Sequence, residues 1–479
     1  MIRIEAGMSA KSMIRGEMAV VVYQMGRRIM HMVSDKGYQP IIRALAACVA
    51  MGLLSSASLS YAQALNVQKE EDPRRAKNAA RVTKEVTPSD DDNGSNDKER
   101  VDESFQPKGL EVGKFLFFPL IENDVSFNSN IYSTRDNVKS DLVTKIAPEF
   151  RLRSRFSEHS LNITGRVEEF VYKNHEKENH LDANLTADGR YDLSRDWEAT
   201  GLLNYARQYE DRGSPDAVAG KRPTLTHLYS SRVGSKLREG RMTYAGNMTL
   251  DRRIFENVTT STGSVINNSD RDRTEAEGEL STSYEMFPGY SVVGEVSANR
   301  RSYDSNRDDQ GFQRSSWGYA ARTGIGVDIS QLIRGDFMVG YMAQNYEDPR
   351  FKDPQGLSVR ASFNWTPSKM TVVVPSFERS IQETTTSQVS GSVRSSAGLL
   401  VRHELERNVV LTMTTRVSND YYKGTGQSNW TYEARLRGIW SLAPEYYIGG
   451  EAGGRIRTST VQSSEFKQAT ALLRFGLRM

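Results

Sequence analysis

The chain closes on Ala471-Leu472-Leu473-Arg474-Phe475-Gly476-Leu477-Arg478-Met479. Successive side chains of a strand point to opposite faces. Ala471, Leu473, Phe475, Leu477 and Met479 therefore share one face, and Leu472, Arg474, Gly476 and Arg478 share the other. One face is greasy and the other carries two guanidiniums. A soluble sandwich could hide such a strand, but a bacterial outer-membrane barrel requires one, with lipid outside and water inside.

The same alternation recurs upstream. Leu142, Thr144, Ile146, Pro148, Phe150 and Leu152 oppose Lys145, Glu149, Arg151 and Arg153. Leu181, Ala183, Leu185, Ala187, Gly189 and Tyr191 oppose Asp182, Asn184, Thr186, Asp188 and Arg190. Trp317 to Val327 and Trp430 to Trp440 repeat the pattern, and a series of such segments is a far stronger signal than one. Between them, eight short connections (153–158, 194–196, 238–241, 286–289, 331–335, 366–369, 403–407, 442–445) alternate with nine longer polar ones (134–139, 173–179, 211–223, 256–273, 304–313, 347–356, 380–387, 420–428, 458–464). Seventeen connections predict eighteen strands with both ends on the short-turn side. Short periplasmic turns and longer outer loops are how outer-membrane barrels are built. The expected fold is all-β, a closed antiparallel transmembrane β-barrel of about eighteen strands over residues 113–479.

Only 37% of the 479 residues are hydrophobic. The longest apolar run, 44–54, is shorter than the roughly 20 residues of a spanning helix. It follows Arg43 and precedes Ser60-Tyr61-Ala62 and Ala62-Gln63-Ala64, small-x-small patterns of the kind that end a signal peptide. Residues 1–64 are read as a leader with its signal-peptide core at 44–54. The one cysteine, Cys48, follows Leu45-Ala46-Ala47 as at a lipoprotein cleavage site, but the main apolar run continues after it, where a lipidated cysteine needs that run in front. Cleavage near Ala64 leaves no cysteine, which removes disulfides, zinc thiolates and thiol catalysis. The leader also carries seven of the 63 Lys/Arg and three of the 60 Asp/Glu, so the remainder is nearly neutral at 56 against 57, and nothing asks for nucleic acid. Residues 65–112 are polar and highly charged, too poor in apolar side chains to offset the entropy of ordering, and read as a disordered periplasmic tether.

No catalytic constellation, metal site or cofactor motif emerges, and the chain does not read as an enzyme. His175 and His180 flank a loop with Glu176 and Glu178, a spacing that by itself does not converge metal ligands. His227 and Ser230 are an odd number of residues apart and fall on opposite faces. The glycine-rich 449–454 stretch lacks the strand-to-helix turn of a phosphate loop. What remains is the water-facing side of the barrel. Face parity assigns to it Lys145, Glu149, Arg151, Arg153, Arg322, Arg360, Arg394, Arg402, Glu433, Arg435, Arg437, Arg455, Arg457, Arg474 and Arg478, a hydrophilic lining with a positive sector from Arg394 onward.

Gly113-Lys114-Phe115-Leu116-Phe117-Phe118-Pro119, then Asn123 to Thr134 with its Asn130-Ile131-Tyr132 step, then Ala147-Pro148-Glu149-Phe150, resemble the opening of the family called Putative beta-barrel porin 2. The resemblance runs from about Gly113 to Met479. It implies a barrel in the outer membrane of a Gram-negative bacterium, associated with polysaccharide secretion. The partners it implies are membrane lipid, the barrel assembly machinery, a periplasmic polysaccharide export protein and an exopolysaccharide cargo. One departure is Met479, where such barrels usually end in an aromatic residue that the assembly machinery reads. Three other classes have distinct requirements. A general or anion-preferring diffusion porin needs an inward-folded loop, for which 256–273 is long enough. An outer-membrane enzyme, as opposed to a structural or adhesive barrel, needs clustered His, Ser and acidic residues on one face. An energised receptor needs a plug domain, for which 65–113 is too short and too polar.

Overall fold

The computed structural model describes residues 103–329, 332–384, 386 and 389–479. The leader and the tether up to residue 102 lie outside the described residues. Eighteen long strands form the wall: β1 Phe115–Asn128, β2 Asp141–Ser154, β3 Ser160–Tyr172, β4 His180–Asp192, β5 Trp197–Tyr209, β6 Leu225–Glu239, β7 Met242–Phe255, β8 Arg273–Phe287, β9 Tyr290–Tyr303, β10 Ser316–Ile329, β11 Ile333–Tyr346, β12 Gln355–Ser368, β13 Thr371–Glu383, β14 Gly391–Glu406, β15 Val409–Tyr422, β16 Ser428–Ser441, β17 Tyr446–Ser459 and β18 Phe466–Arg478. Each pairs antiparallel with its sequence neighbours. The terminal strand β18 returns to β1 with Asp124 opposite Arg474, which closes the sheet and leaves no edge to satisfy in lipid. At 13 to 16 residues, the strands exceed the 9 to 11 that cross a bilayer.

The two faces sort as the alternation requires. Strand β1 buries Glu122, Asp124, Ser126 and Asn128 and exposes Val125 and Phe127. At the other side of the seam, Leu473 and Phe475 are exposed while Leu472 is buried. Exposed aromatics form two outward belts. Tyr191, Trp197, Tyr290, Trp365, Trp440 and Tyr446 stand towards the short-turn end, and Trp317, Tyr341, Tyr421, Trp430 and Tyr432 towards the long-loop end. Rings that are apolar in body and polar at the tip settle at the two lipid-water interfaces.

Prolines mark where the ladder breaks, because they bring no N–H. The β2–β3 pairing skips Pro148, and the β12–β13 pairing skips Pro375. That second ladder also stops at Val359 opposite Arg379, although β13 stays paired to β14 as far as Glu383 opposite Gly391. The freed β13–β14 tip bends into the lumen, where Ile381 and Val393 pack on Ala320 and Met342 of the inner wall. Strict parity would have put both outside.

Residues 103–112 depart from the disorder expected of the tether. Glu103–Phe105 forms a 3-10 turn and Leu110–Val112 a short strand beside Phe115–Phe117, joined through Gly113 at φ +60, where a side chain would be strained. This strand occupies the edge of β1 below the last β18 pair, so the first residues of the wall are not left open.

Candidate functional site: the lumen and its outer mouth

The inward face is built as three charged networks. The first straddles the closing seam. Arg474 of β18 holds Asp124 of β1 with two bonds, Nε to Oδ1 at 2.7 Å and Nη2 to Oδ2 at 2.7 Å, and reaches Glu122 Oε1 at 2.9 Å. Lys145 of β2 bridges Asp124 at 2.9 Å and Glu168 at 3.0 Å. Arg166 of β3 meets Glu122 at 2.6 Å, Glu149 at 2.7 Å and Glu168 at 3.0 Å, and the Tyr447 hydroxyl donates to Glu122. Every ion here has a partner with good geometry, the condition under which buried charge is tolerated. Of the sequence-derived set, Lys145, Glu149 and Arg474 meet here, with Arg151 3.6 Å from Glu149. Arg153 lies nearer the short-turn end over the Phe118 ring. Arg478 lies there too, donating to the carbonyls of Pro444 and Phe105, each at 2.9 Å.

The second network lies on β7 to β13. Arg322 pairs with Glu295, and Arg360 with Glu295 at 2.6 Å and Glu279 at 3.4 Å. Arg273, Arg253 and Arg301 gather round Glu275. A cavity of about 290 Å³ opens beside them, lined by Glu275, Glu279, Arg301, Arg322, Arg360 and Glu378 among others.

The third network is the arginine-rich sector of β14 to β18. Arg394 pairs with Asp420 at 3.0 Å, Arg402 with Glu404 at 3.2 Å and Arg437 with Glu451 at 2.7 Å. Glu433 sits in register between Arg416 and Arg455, and Arg435 between Thr414 and Gly453. Arg455 and Arg457 both stack on the Phe466 ring, 5.1 and 5.0 Å from its centre, and Arg457 donates to Thr431.

The 210–224 loop crosses the mouth. It leaves β5, yet Asp211 Oδ2 lies 3.1 Å from Arg455 Nη2 on β17, six strands round the wall. A Cβ at Gly213 would stand 3.0 Å from that same nitrogen, 3.0 Å from Ser133 Oγ and 3.1 Å from the Phe466 ring, so the backbone itself fits into this corner. Further along, Asp216 accepts from the Thr384 hydroxyl at 2.6 Å, and Arg212 pairs with Glu178 at 2.7 Å. Glu210, at the foot of the loop, pairs with Arg271 at 2.7 Å, and burial pushes its carboxyl above the ordinary range. The 256–273 segment, long enough to be the constriction, packs on the 210–224 loop, where the Lys221 N–H donates to the Thr259 carbonyl at 2.7 Å and Asn268 donates to the Thr224 hydroxyl at 3.4 Å. It carries a two-residue hairpin, Val258–Thr259 with Val265–Ile266, and an exposed tip at 261–265. The seating of the 210–224 loop does not follow from loop length, because it depends on Arg455 and Phe466, more than 240 residues away from Asp211 in sequence.

Several inward residues escaped the sequence reading, among them Glu122, Asp124, Arg166, Glu168, Glu295 and Asp420. Glu122-Asn123-Asp124-Val125-Ser126 carries the needed alternation, and charge at every second residue was the available signal. His175 bonds Asp141 at 2.7 Å, while the His180 ring stacks on Phe170. His227 faces Tyr205 on the outer wall, whereas Ser230 donates to Asp251 on the inner one.

A closed barrel with a charged lining and a loop folded across its mouth defines a porin-like β-barrel. The chain belongs to the family described as Putative beta-barrel porin 2, whose model matches residues 103–478. No curated protein is similar enough to match. Among solved structures, the chain is similar to OpdK of Pseudomonas aeruginosa at 9% identity, covering 76% of this chain and 98% of that one with a TM-score of 0.40. OccK9 (OpdG) of the same organism gives 9%, 76%, 98% and 0.41. OccAB4 of Acinetobacter baumannii gives 10%, 76%, 98% and 0.40. At this level the likeness does not extend to what passes through.

Proposed function

We propose that this protein is a passive conduit in the outer membrane of a Gram-negative bacterium, through which an exopolysaccharide delivered by a periplasmic export protein leaves the cell. In this reading residues 1–64 are removed after export, and 65–102 tether the barrel to its periplasmic side. The fifteen inward residues predicted from face parity line the path. The observation that supports it is the inner wall: charge is present on most strands and is largely matched between neighbours, as Arg474 with Asp124, Arg322 with Glu295 and Arg437 with Glu451. A wall of internally satisfied ions keeps a wide lumen wet without a strong field to trap a polymer. In the native bacterium, deletion of the gene should lower surface polysaccharide and raise the periplasmic pool, with recovery on complementation. Unchanged surface polymer would contradict the proposal.

The 210–224 loop favours a second reading, a diffusion porin, since an inward-folded loop is the element that narrows such a pore. Liposome swelling separates the two. Uptake of small sugars by the intact protein at porin rates, with polymer export intact in the deletion strain, would establish the diffusion reading.

A further inference from the structure

Where β13 leaves the wall, its tip and the inner face enclose a cleft. Ile381 rests on Ala320 and Met342, and beside that contact lies the cavity of about 290 Å³. Ser380, Ile381 and Gln382 of the tip line one side of it, and inward residues of β7 to β11 line most of the other. The cleft is preformed. Arg301 of β9 donates to Glu383 at 2.9 Å with both side chains nearly fully buried, and Arg314 donates to the carbonyls of Thr384 at 2.8 Å and Val389 at 3.1 Å. A cavity held in shape before its ligand arrives loses little binding free energy to ordering.

Two polar rows cross the wall here. Asn247, Glu279 and Ser297 stand in direct register on β7, β8 and β9, and Thr249, Glu277 and Asn299 form the next row. All six line the cavity. Directly opposite side chains lie about 4.5–5.5 Å apart, so each row offers a carboxylate acceptor with a hydroxyl or amide on either hand. Those hydroxyls and amides both donate and accept. Asn299 is fixed from β11, where Gln344 Nε2 donates to Asn299 Oδ1 at 3.1 Å and to Ser316 Oγ at 3.0 Å. Gln344 can cross β10 because residue 318, in register with both, is glycine, and a Cβ there would collide with the Gln344 amide.

The charged groups round the cavity are already paired. Arg322 and Arg360 hold Glu295, Arg360 also reaches Glu279, and Arg301 holds Glu383. An ionic ligand would have to break into these pairs and would meet ions of its own sign. A neutral polyol can donate to the carboxylates and bond the amides and hydroxyls while the pairs stay in place. Ile381 and Met342 add an apolar lip suited to the C–H face of a sugar ring.

We propose that this cleft binds a neutral sugar residue, with Asn247, Thr249, Ser297 and Asn299 bonding its hydroxyls and Ile381 covering one face of the ring. This rests on the conduit reading and names its substrate class, a glycan carrying neutral hexose units that pauses on this wall on its way out. Ligand pockets run from about 300 to 1,000 Å³, so a cavity at the small end takes one or two rings and not a longer stretch of chain.

The test is calorimetric titration of the refolded full chain in detergent with maltotriose, cellotriose and mannotriose, using tri-galacturonate as the acidic control. At least one neutral trisaccharide should bind saturably, and tri-galacturonate should bind more weakly. Asn247→Ala with Asn299→Ala removes two hydrogen-bonding groups and should weaken that binding about tenfold. Ser297→Trp fills the cleft from the wall and should abolish it, while Asn204→Ala on β5, outside the cavity, should leave it unchanged. Heat-modifiable mobility on gels verifies that each variant is folded, and if Ser297→Trp does not fold the asparagine pair decides alone. No binding by any of the three neutral sugars, equal or tighter binding of tri-galacturonate, unchanged affinity in a folded cleft variant, or an equal loss in Asn204→Ala would each overturn the site. Because the readout needs no transport, the two readings fail separately. Sugar binding with unchanged polymer export in the deletion strain would sink the conduit and leave the site standing, and lost export without sugar binding would do the reverse.

Discussion

At its short-turn end the barrel is finished with connections of two to five residues, while at the other end nine connections of five to seventeen residues fold into something like a second core. Ile131, Phe255, Val258, Tyr303, Phe351, Val389, Tyr422 and Phe466 are buried at that mouth, and arginines stack on several of them. The wall is held by hydrogen-bonded ladders with lipid-type side chains outside, a plan repeated eighteen times. The mouth is held by contacts made once each, such as Asp211 with Arg455 and Asp216 with Thr384. Damage to the wall should therefore threaten the whole protein, and damage to the mouth should change access while the barrel stays folded.

The largest effect is expected at the seam. Arg474→Gln removes both bonds to Asp124 and one to Glu122, leaving Asp124 with Lys145 and Glu122 with Arg166, and breaking into a buried ion network in this way costs up to about 3–5 kcal/mol. Urea unfolding in lipid vesicles measures it. A loss under about 1 kcal/mol would mean that the seam network is hydrated and inessential. Leu473→Arg comes next, placing a cation on the outward face at a cost of about 2–4 kcal/mol if it falls at mid-membrane. A well-tolerated Leu473→Arg would mean that inner and outer faces have been exchanged.

The mouth should respond to pH more locally. Asp348 accepts from the Arg350 side chain and from the Gln313 N–H at 2.9 Å, and its carboxyl is held well below the ordinary range chiefly by Arg350. A depressed carboxyl stabilises the fold above its ordinary value and loses that contribution only as pH falls through the lowered one. Amide exchange at Gln313 and Arg350 should stay protected from neutrality to below about pH 4 and then rise. Loss of protection above about pH 5 would contradict the pairing. The wall strands should show no change over the same interval.

This division also explains what could be read in advance. Strand number, the alternation of short and long connections and the inward position of residues such as Arg435 or Arg455 follow from period-two spacing, which is local. Lipid outside and water inside make that spacing strict. The acids of β1 are just as readable in the alternation of Glu122, Asp124 and Ser126, although that strand opens on the aromatic run Phe115 to Phe118. The seated loop was not readable, because nothing within 211–223 announces that its receptor is on β17 and β18. The inward turn of Ile381 and Val393 was hidden for a related reason. It follows from where the β12–β13 ladder stops, which is a property of two strands together.

In this structure a charged lumen lies behind the 210–224 loop, and single-channel conductance in planar bilayers shows most directly whether that loop closes it. The natural chain should conduct little, with brief openings. A variant in which residues 212–222 are replaced by a short Gly-Ser link should conduct steadily and favour anions, and adding Arg435→Glu and Arg437→Glu should move its selectivity towards cations. Identical conductance with and without the loop would mean that the loop does not close the lumen.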